Sequence, residues 1–217
     1  MTQQVDGARP GSGPGPRVSS VTPPAPGSVW TLKDSGKNDA ASPLTKRKRE
    51  NISRLDLRVG LVIHVEEHPI FRDFYLIHVD VGGHIPRRSI SPLVCHQERI
   101  ELLNHKVVVV CNMKEKVKGL LSDCFVMYAK FQKGGEYIRP PAKSHPGDRV
   151  FAPGYPFDPL QDWPFLPNGT ELFKAATRKL RVSTSRTVKY NKTLLQTEHY
   201  GNITTHQLGG CKIRIGL

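Results

Sequence analysis

Cysteine is scarce in this chain: Cys95, Cys111, Cys124 and Cys211 are the only four in 217 residues, and no two make a C-x-x-C pair. Such spacing argues against a metal knuckle or a disulfide framework and fits reduced thiols. Long hydrophobic runs are also missing. Val107–Cys111 is strand-sized, against the ~20 apolar residues of a membrane span. The N-terminus has no charged segment followed by an apolar one, so the reading expects no signal peptide. There is no nucleotide-binding Gly-rich loop, no G-x-S-x-G and no H-E-x-x-H among the nine histidines. The expectation is therefore a protein with no catalytic residue, no bound metal and no cofactor.

Acidic residues are in short supply too. Lys and Arg number 32 against 19 Asp and Glu, a net charge of +13. Residues 1–45 are close to neutral, and the run Lys46-Arg47-Lys48-Arg49 is strongly basic. Residues 51–150 carry 15 basic and 11 acidic side chains; residues 151–217 carry nine and four. Surplus cations spread over the folded part attract polyanions, nucleic acid before anionic membrane. The run 46–49 reads as a nuclear-import patch, a phosphate-binding arm or a solvated linker.

Proline and glycine are abundant but segregated, with ten of them within residues 10–27. A segment so poor in large apolar groups cannot offset its ordering entropy, so residues 1–50 read as a disordered tail ending in a basic run. Trp30 is the one anchor-like residue there. Beyond Leu55 the pattern turns to period two. Val59, Leu61, Ile63 and Val65 alternate, as do Tyr75, Ile77, Val79 and Val81, with His64 and His78 in the polar phase. Residues 106–113 and 123–129 add two further strands, and Glu98–Leu103 suggests one or two helical turns. About five short strands and one short helix predict a closed barrel of the oligonucleotide-binding (OB) type over 51–150. After the turn chemistry of Pro140-Pro141 and Pro146-Gly147, residues 151–217 open on repeated prolines and offer strands at Leu180–Val182 and Lys212–Ile215. The predicted fold is all-β dominated: a five-stranded OB-fold barrel with a short helix, then a small, mostly β C-terminal extension packing on it.

An ordered set of segments then carries a resemblance. They are Ser53–Gly60, His68-Pro69, Tyr75, Val79–Gly82, Pro86-Arg87, Ser91, Leu93-Val94, Val108–Lys114, Lys118-Gly119 with Ser122, Pro140-Pro141 and Pro146–Val150. Together they resemble the tRNA-binding domain of the endothelial monocyte-activating polypeptide, of some tyrosyl- and methionyl-tRNA synthetases and of bacterial tRNA-binding homodimers. The segment after Val150 is similar, more loosely, to the C-terminal extension of the polypeptide branch, through Pro156, Asp158 and Leu160. In that branch the extension implies a pseudo-dimer within one chain.

The resemblance implies non-catalytic tRNA binding by an accessory subunit of an aminoacyl-tRNA synthetase complex. Its partners would be tRNA and one or more synthetases, with no membrane, and the chain would be a monomeric pseudo-dimer or part of a hetero-complex. It implies a cytoplasmic location, and Lys46–Arg49 adds a nuclear fraction. It also implies contact roles for Asn112, Lys114, Lys118 and Ser122 at the turn between the fourth and fifth strands, with Ser91 from the matched set. Charge adds Lys116 beside them, and Arg58, Arg87 and Arg88 as an extension of the basic face, the last two equally readable as a solvated hairpin tip. Three departures stand out. Ile70-Phe71-Arg72 follows His68-Pro69 where the family is usually Asp-rich. Ser91-Pro92-Leu93 replaces Ser-Gly-Leu, and Val117-Lys118-Gly119 replaces Met-Arg-Gly. Lysine keeps arginine's charge but loses its planar fork. These departures motivate an alternative, a protein-interaction scaffold with weakened RNA affinity; a secreted signalling role is the remote third.

Overall fold

Alternation fails at one place in the first strand, and the failure shapes the sheet. The computed structural model describes residues 51–93, 102–132, 134–156, 165 and 169–216. The tail with Trp30 and Lys46–Arg49, the thiol of Cys95, most of the expected helical turns at 98–103, and Asp158 and Leu160 lie outside them. Strand β1 spans Leu57–Glu67. Its buried residues are Leu57, Val59, Val62 and Val65, whereas Ile63 is 40% exposed and Leu61 half-buried. The expected inward set of Val59, Leu61, Ile63 and Val65 is therefore corrected. Leu61 and Val62 pair with Asp80 and Val79, but His64 pairs with His78, leaving Ile63 as an extra residue. A bulge of this kind switches the side-chain phase and sharpens the twist.

Strands β2 (Phe74–Asp80) and β3 (Arg87–Pro92) follow. Ile77, Val79 and Val81 are buried as their alternation predicts. β3 is a strand where the sequence suggested a hairpin tip; the tip lies before it. Next come β4 (Lys106–Val110), a short hairpin of β5 (Glu115–Val117) and β6 (Leu120–Ser122), then β7 (Phe125–Phe131) and β8 (Gly134–Tyr137). β1 lies between β2 and β4, β3 flanks β2, and β7 flanks β4, all antiparallel.

The two ends of this five-strand curl, β3 and the segment from the end of β6 into β7, meet through side chains and one backbone bond rather than a ladder. Ser122 Oγ accepts from Ile90 N at 3.0 Å and donates to Cys124 O at 2.7 Å. Ser89 Oγ accepts from Val126 N at 3.1 Å. Asp123 Oδ1 accepts from Arg88 N at 2.7 Å, and Asp123 N donates to Arg88 O at 2.9 Å.

Four strands of the extension continue the same sheet, and two more form a separate one with Val150–Phe151. After β9 (Val150–Phe151) come helix α1 (Gly169–Thr177), β10 (Leu180–Val182), β11 (Val188–Tyr190), β12 (Thr193–Leu194), β13 (Gln196–Thr197), β14 (Gly201–Asn202) and β15 (Lys212–Ile215). The expected strands at 180–182 and 212–215 are present. β15 pairs antiparallel with β7 and with β10, so barrel and extension share one sheet. Just past it, Gly216 packs on β3 so closely that a Cβ would stand 2.5 Å from Ile90 O.

Two cores result. One face of the sheet buries Val62, Val65, Ile77, Val79, Val107, Val109 and Val126, with Leu102. The opposite face buries Leu57, Val59, Val108, Val110, Met127 and Ala129 together with Phe173, Ala176, Leu180, Ile213 and Ile215 of the extension. Burying one such large aliphatic or aromatic side chain is worth about 1.5–3 kcal/mol. A buried carboxylate adds a pin: Glu136 accepts from Gln207 N at 2.9 Å and Leu208 N at 3.0 Å. Among the described residues no helix is long and apolar enough to cross a membrane.

Candidate nucleic-acid interface

The β5–β6 hairpin presents cations by simple alternation. Val117 is buried, and Glu115 accepts a hydrogen bond from the Thr170 hydroxyl at the start of α1. Lys116 between them is therefore driven to the other face; Lys114 just before the strand and Lys118 in the turn after it are exposed as well. Strand rise spaces alternate residues by about 6.6 Å. Lys118 and Gly119 turn the hairpin with φ of 51° and 86°. Positive φ at both central residues is the two-residue turn that suits strand twist, and glycine adopts it without strain.

A loop from the other side of the barrel reaches this hairpin. Buried His68 organises it: Nδ1 accepts from Ile70 N at 3.2 Å and Phe71 N at 3.1 Å, and its ring meets Phe71 edge-on. Phe71 is thereby held at the surface, with Ile70 and Arg72 exposed beside it. The ammonium of Lys118 lies 5.0 Å from the Phe71 ring centroid and 5.2 Å from that of Phe74. Lys114 lies 4.8 Å from Phe165. Cations above aromatic rings are attracted by the ring quadrupole. Cations interleaved with exposed aromatics form the stacking-plus-phosphate surface that single-stranded nucleic acid uses. Phe71 was missed as a site residue from sequence. Its signal was an aromatic between Ile70 and Arg72, in the segment that departs from the family pattern.

Six other anticipated residues lie differently. Asn112 is buried; its Oδ1 accepts from Asp56 N at 2.9 Å and its Nδ2 donates to Arg54 O at 2.8 Å. The amide thus ties the entry of β1 to the exit of β4. Ser122 is part of the β3–β7 seam. Ser91 is buried with its Oγ 3.3 Å from the Tyr137 hydroxyl. Arg87 donates to Cys111 O at 2.8 Å, and Arg88 donates through Nε to Leu121 O at 2.9 Å. Both are half-buried clamps at the start of β3, neither a solvated tip nor a free basic face. Arg58 Nε pairs with Asp56 at 3.0 Å; burial opposes its charge, but the Asp56 hydrogen bond and charge outweigh that and its pKa is raised.

Arg58 and Arg87 line a surface cleft of about 360 Å³ with Gly82, His84 and Cys111. The Cys111 thiol is pushed up to about 12, first by burial and then by the Asp56 charge, so it stays protonated at neutral pH. Burial pushes Cys124 up as well. Among the described residues no cluster of three or more His, Cys, Asp or Glu could hold a metal ion.

A five-strand curl with a cationic hairpin between its last two strands and an aromatic loop between its first two is an oligonucleotide-binding barrel. Residues 57–149 match the family model described as a putative tRNA binding domain. Over 124 residues the chain is 40% identical to the aminoacyl tRNA synthase complex-interacting multifunctional protein 1 of Cricetulus griseus, covering 57% of this chain and 34% of that protein. It is 34% identical over 165 residues to the cytoplasmic tyrosine–tRNA ligase of Danio rerio, covering 74% and 31%. The chain thus spans about a third of the length of these curated relatives. Among solved structures, the C-terminal domain of Plasmodium vivax p43 aligns with a TM-score of 0.67 at 24% identity, over 76% of this chain and 99% of that one. The extension therefore shares that fold along with the barrel.

Proposed function

We propose that the chain binds tRNA without catalysing a reaction, and serves as an accessory subunit that brings tRNA to an aminoacyl-tRNA synthetase. The observation that carries this is the convergence of Lys118 on Phe71 and Phe74, beside Lys114 and Lys116, within the segment that matches the tRNA-binding family model. In this reading the three lysines take phosphates and Phe71 stacks a base. Arg88 borders the site through Leu121 of β6, Arg58 and Arg87 line the cleft, and Asn112, Ser91 and Ser122 stabilise the fold. Residues 51–150 are the RNA-binding barrel. Residues 151–217 cover the face that would otherwise pair with a second copy, which makes the chain a monomeric pseudo-dimer. Raising the local concentration of tRNA near a synthetase multiplies encounters without any new contact. The relatives' names support a place in synthetase complexes and a cytoplasmic location.

The test is binding of bulk tRNA to the full chain at low and physiological salt, beside Lys114→Glu/Lys118→Glu. Affinity is expected to fall steeply with salt, since bound cations release counterions from phosphate. The double variant is expected to weaken binding at least about ten-fold and to flatten the salt dependence by roughly one to two phosphate contacts. A second reading is favoured by the commitment of Asn112, Ser91 and Ser122 to the fold itself: a scaffold within a synthetase complex, with little RNA affinity. It predicts weak tRNA binding that the double variant leaves unchanged.

A further inference from the structure

The sheet shared by barrel and extension brings four cations onto one rung. Lys189 of β11 faces Arg181 of β10, Arg181 faces Lys212 of β15, and Lys212 faces Lys130 of β7. Directly opposed residues of antiparallel strands point to the same side, with Cβ atoms about 4.5–5.5 Å apart, and like charges there are destabilising. On the reverse side Leu180, Val182, Ile213, Ile215 and Ala129 are buried, so the rung is fixed outward. Arg181, Lys212 and Lys130 are exposed, Lys189 is half-buried, and Arg214 adds an exposed cation two residues along β15.

Among the described residues no ion pair relieves them. Between Glu171 and Glu198 the chain has Lys174, Arg178, Lys179, Arg181, Arg186, Lys189 and Lys192 and no Asp or Glu. Glu136 on β8 has its carboxylate committed to the Gln207 and Leu208 amides. Arg181 uses one nitrogen on Thr177 O at 3.0 Å and Leu180 O at 2.8 Å, and the rung makes no ion pair among the described residues. A row of exposed, unpaired like charges attracts a polyanion.

We propose that this rung is a second RNA-binding surface, separate from the hairpin face, that takes the phosphate backbone of an A-form double helix. This rests on the reading that the chain binds RNA. Four strands about 4.8 Å apart make a cationic front about 14 Å wide. Among the described residues it lacks an exposed aromatic: Tyr128 and Tyr190, on the strands that carry it, are buried. Single strands need such rings for stacking, whereas A-form duplexes are held by shape and by phosphate and ribose contacts. The hairpin face with Phe71 suits looped, unpaired nucleotides; the rung suits a stem of the same folded RNA.

Two RNA probes separate the surfaces on the full chain: a duplex of about 16 base pairs, the span of one double-stranded-RNA domain, and a single strand of the same length. Lys130→Gln/Lys189→Gln/Lys212→Gln is compared with Lys114→Gln/Lys116→Gln/Lys118→Gln, with polyglutamate as a non-nucleic polyanion. The rung variant is expected to weaken duplex binding at least about ten-fold and to reduce the salt slope by roughly two, while single-strand affinity stays within about two-fold. The hairpin variant is expected to do the reverse. Cooperative thermal unfolding of the rung variant at or above the wild-type midpoint confirms that it folds. The proposal is overturned if duplex binding survives the rung substitutions, or if both probes weaken alike. It is also overturned if the wild type prefers polyglutamate and the rung variant loses that binding, which makes the surface protein-facing. Binding of the single strand without the duplex removes the rung and leaves the hairpin reading standing; binding of neither removes both.

Discussion

Asn112 joins Arg54 and Asp56 to the end of β4, two stretches far apart in sequence, through both ends of one buried amide. Truncating it leaves a partly buried donor and a partly buried acceptor unpaired, each costing about 1–2 kcal/mol. Asn112→Ala is therefore expected to lower unfolding free energy by roughly 2–4 kcal/mol in urea titration, with tRNA affinity per folded molecule unchanged. Normal stability with lost binding would show instead that the amide addresses the RNA. From sequence alone Asn112, Ser91 and Ser122 read as ligand contacts, because a polar side chain carries no mark of whether its partner is a base or a distant backbone amide. The three lysines were legible because a charge at alternate positions of a short strand has only one low-cost destination, the solvent face.

At the level of elements, the interface depends on two connections meeting: the loop ordered by His68 and the turn made by Lys118-Gly119. Phe71 is the contact between them. Phe71→Ala is expected to weaken single-stranded RNA binding by about 1–3 kcal/mol, a loss of roughly 5- to 150-fold, and to leave duplex binding unaffected. Equal loss on both probes would point to a collapsed loop rather than a missing stacking partner. Strands β1, β2, β4 and β7 were visible as period-two or continuous apolar runs. β3 was not, because Arg-Arg-Ser-Ile-Ser-Pro has polar residues at buried positions, satisfied by partners distant in sequence on β6, β7 and Tyr137. The bulge at Ile63 was hidden because it depends on the partner strand's register. α1 was missed as well; Phe173, Ala176 and Thr177 bury a single narrow stripe, too short to stand out after a proline-rich entry.

On the scale of the molecule, the extension is a continuation of the barrel's sheet and the cover of one of its cores. Deleting residues 211–217 removes β15, including the buried Ile213 and Ile215, at about 1.5–3 kcal/mol each. Together that is about 3–6 kcal/mol, a large share of the margin of a marginally stable domain, about 5–15 kcal/mol. The truncated chain is expected to unfold at a markedly lower temperature and to self-associate in size-exclusion chromatography through the uncovered face of β7. A truncated monomer melting like the full chain would make β15 peripheral.

The seam between β3 and β7 has a further consequence. A ladder along its full length would leave β7 no free edge, yet Ser89, Ser122 and Asp123 close only its first residues. The remainder, Met127 to Lys130, is left to β15. Closure by a few polar stitches thus leaves a vacancy of one strand's width in an otherwise finished barrel. Added chain can occupy that vacancy without shifting the register of any original strand, and so an ancestral barrel could gain new surface by accretion while the old one kept working.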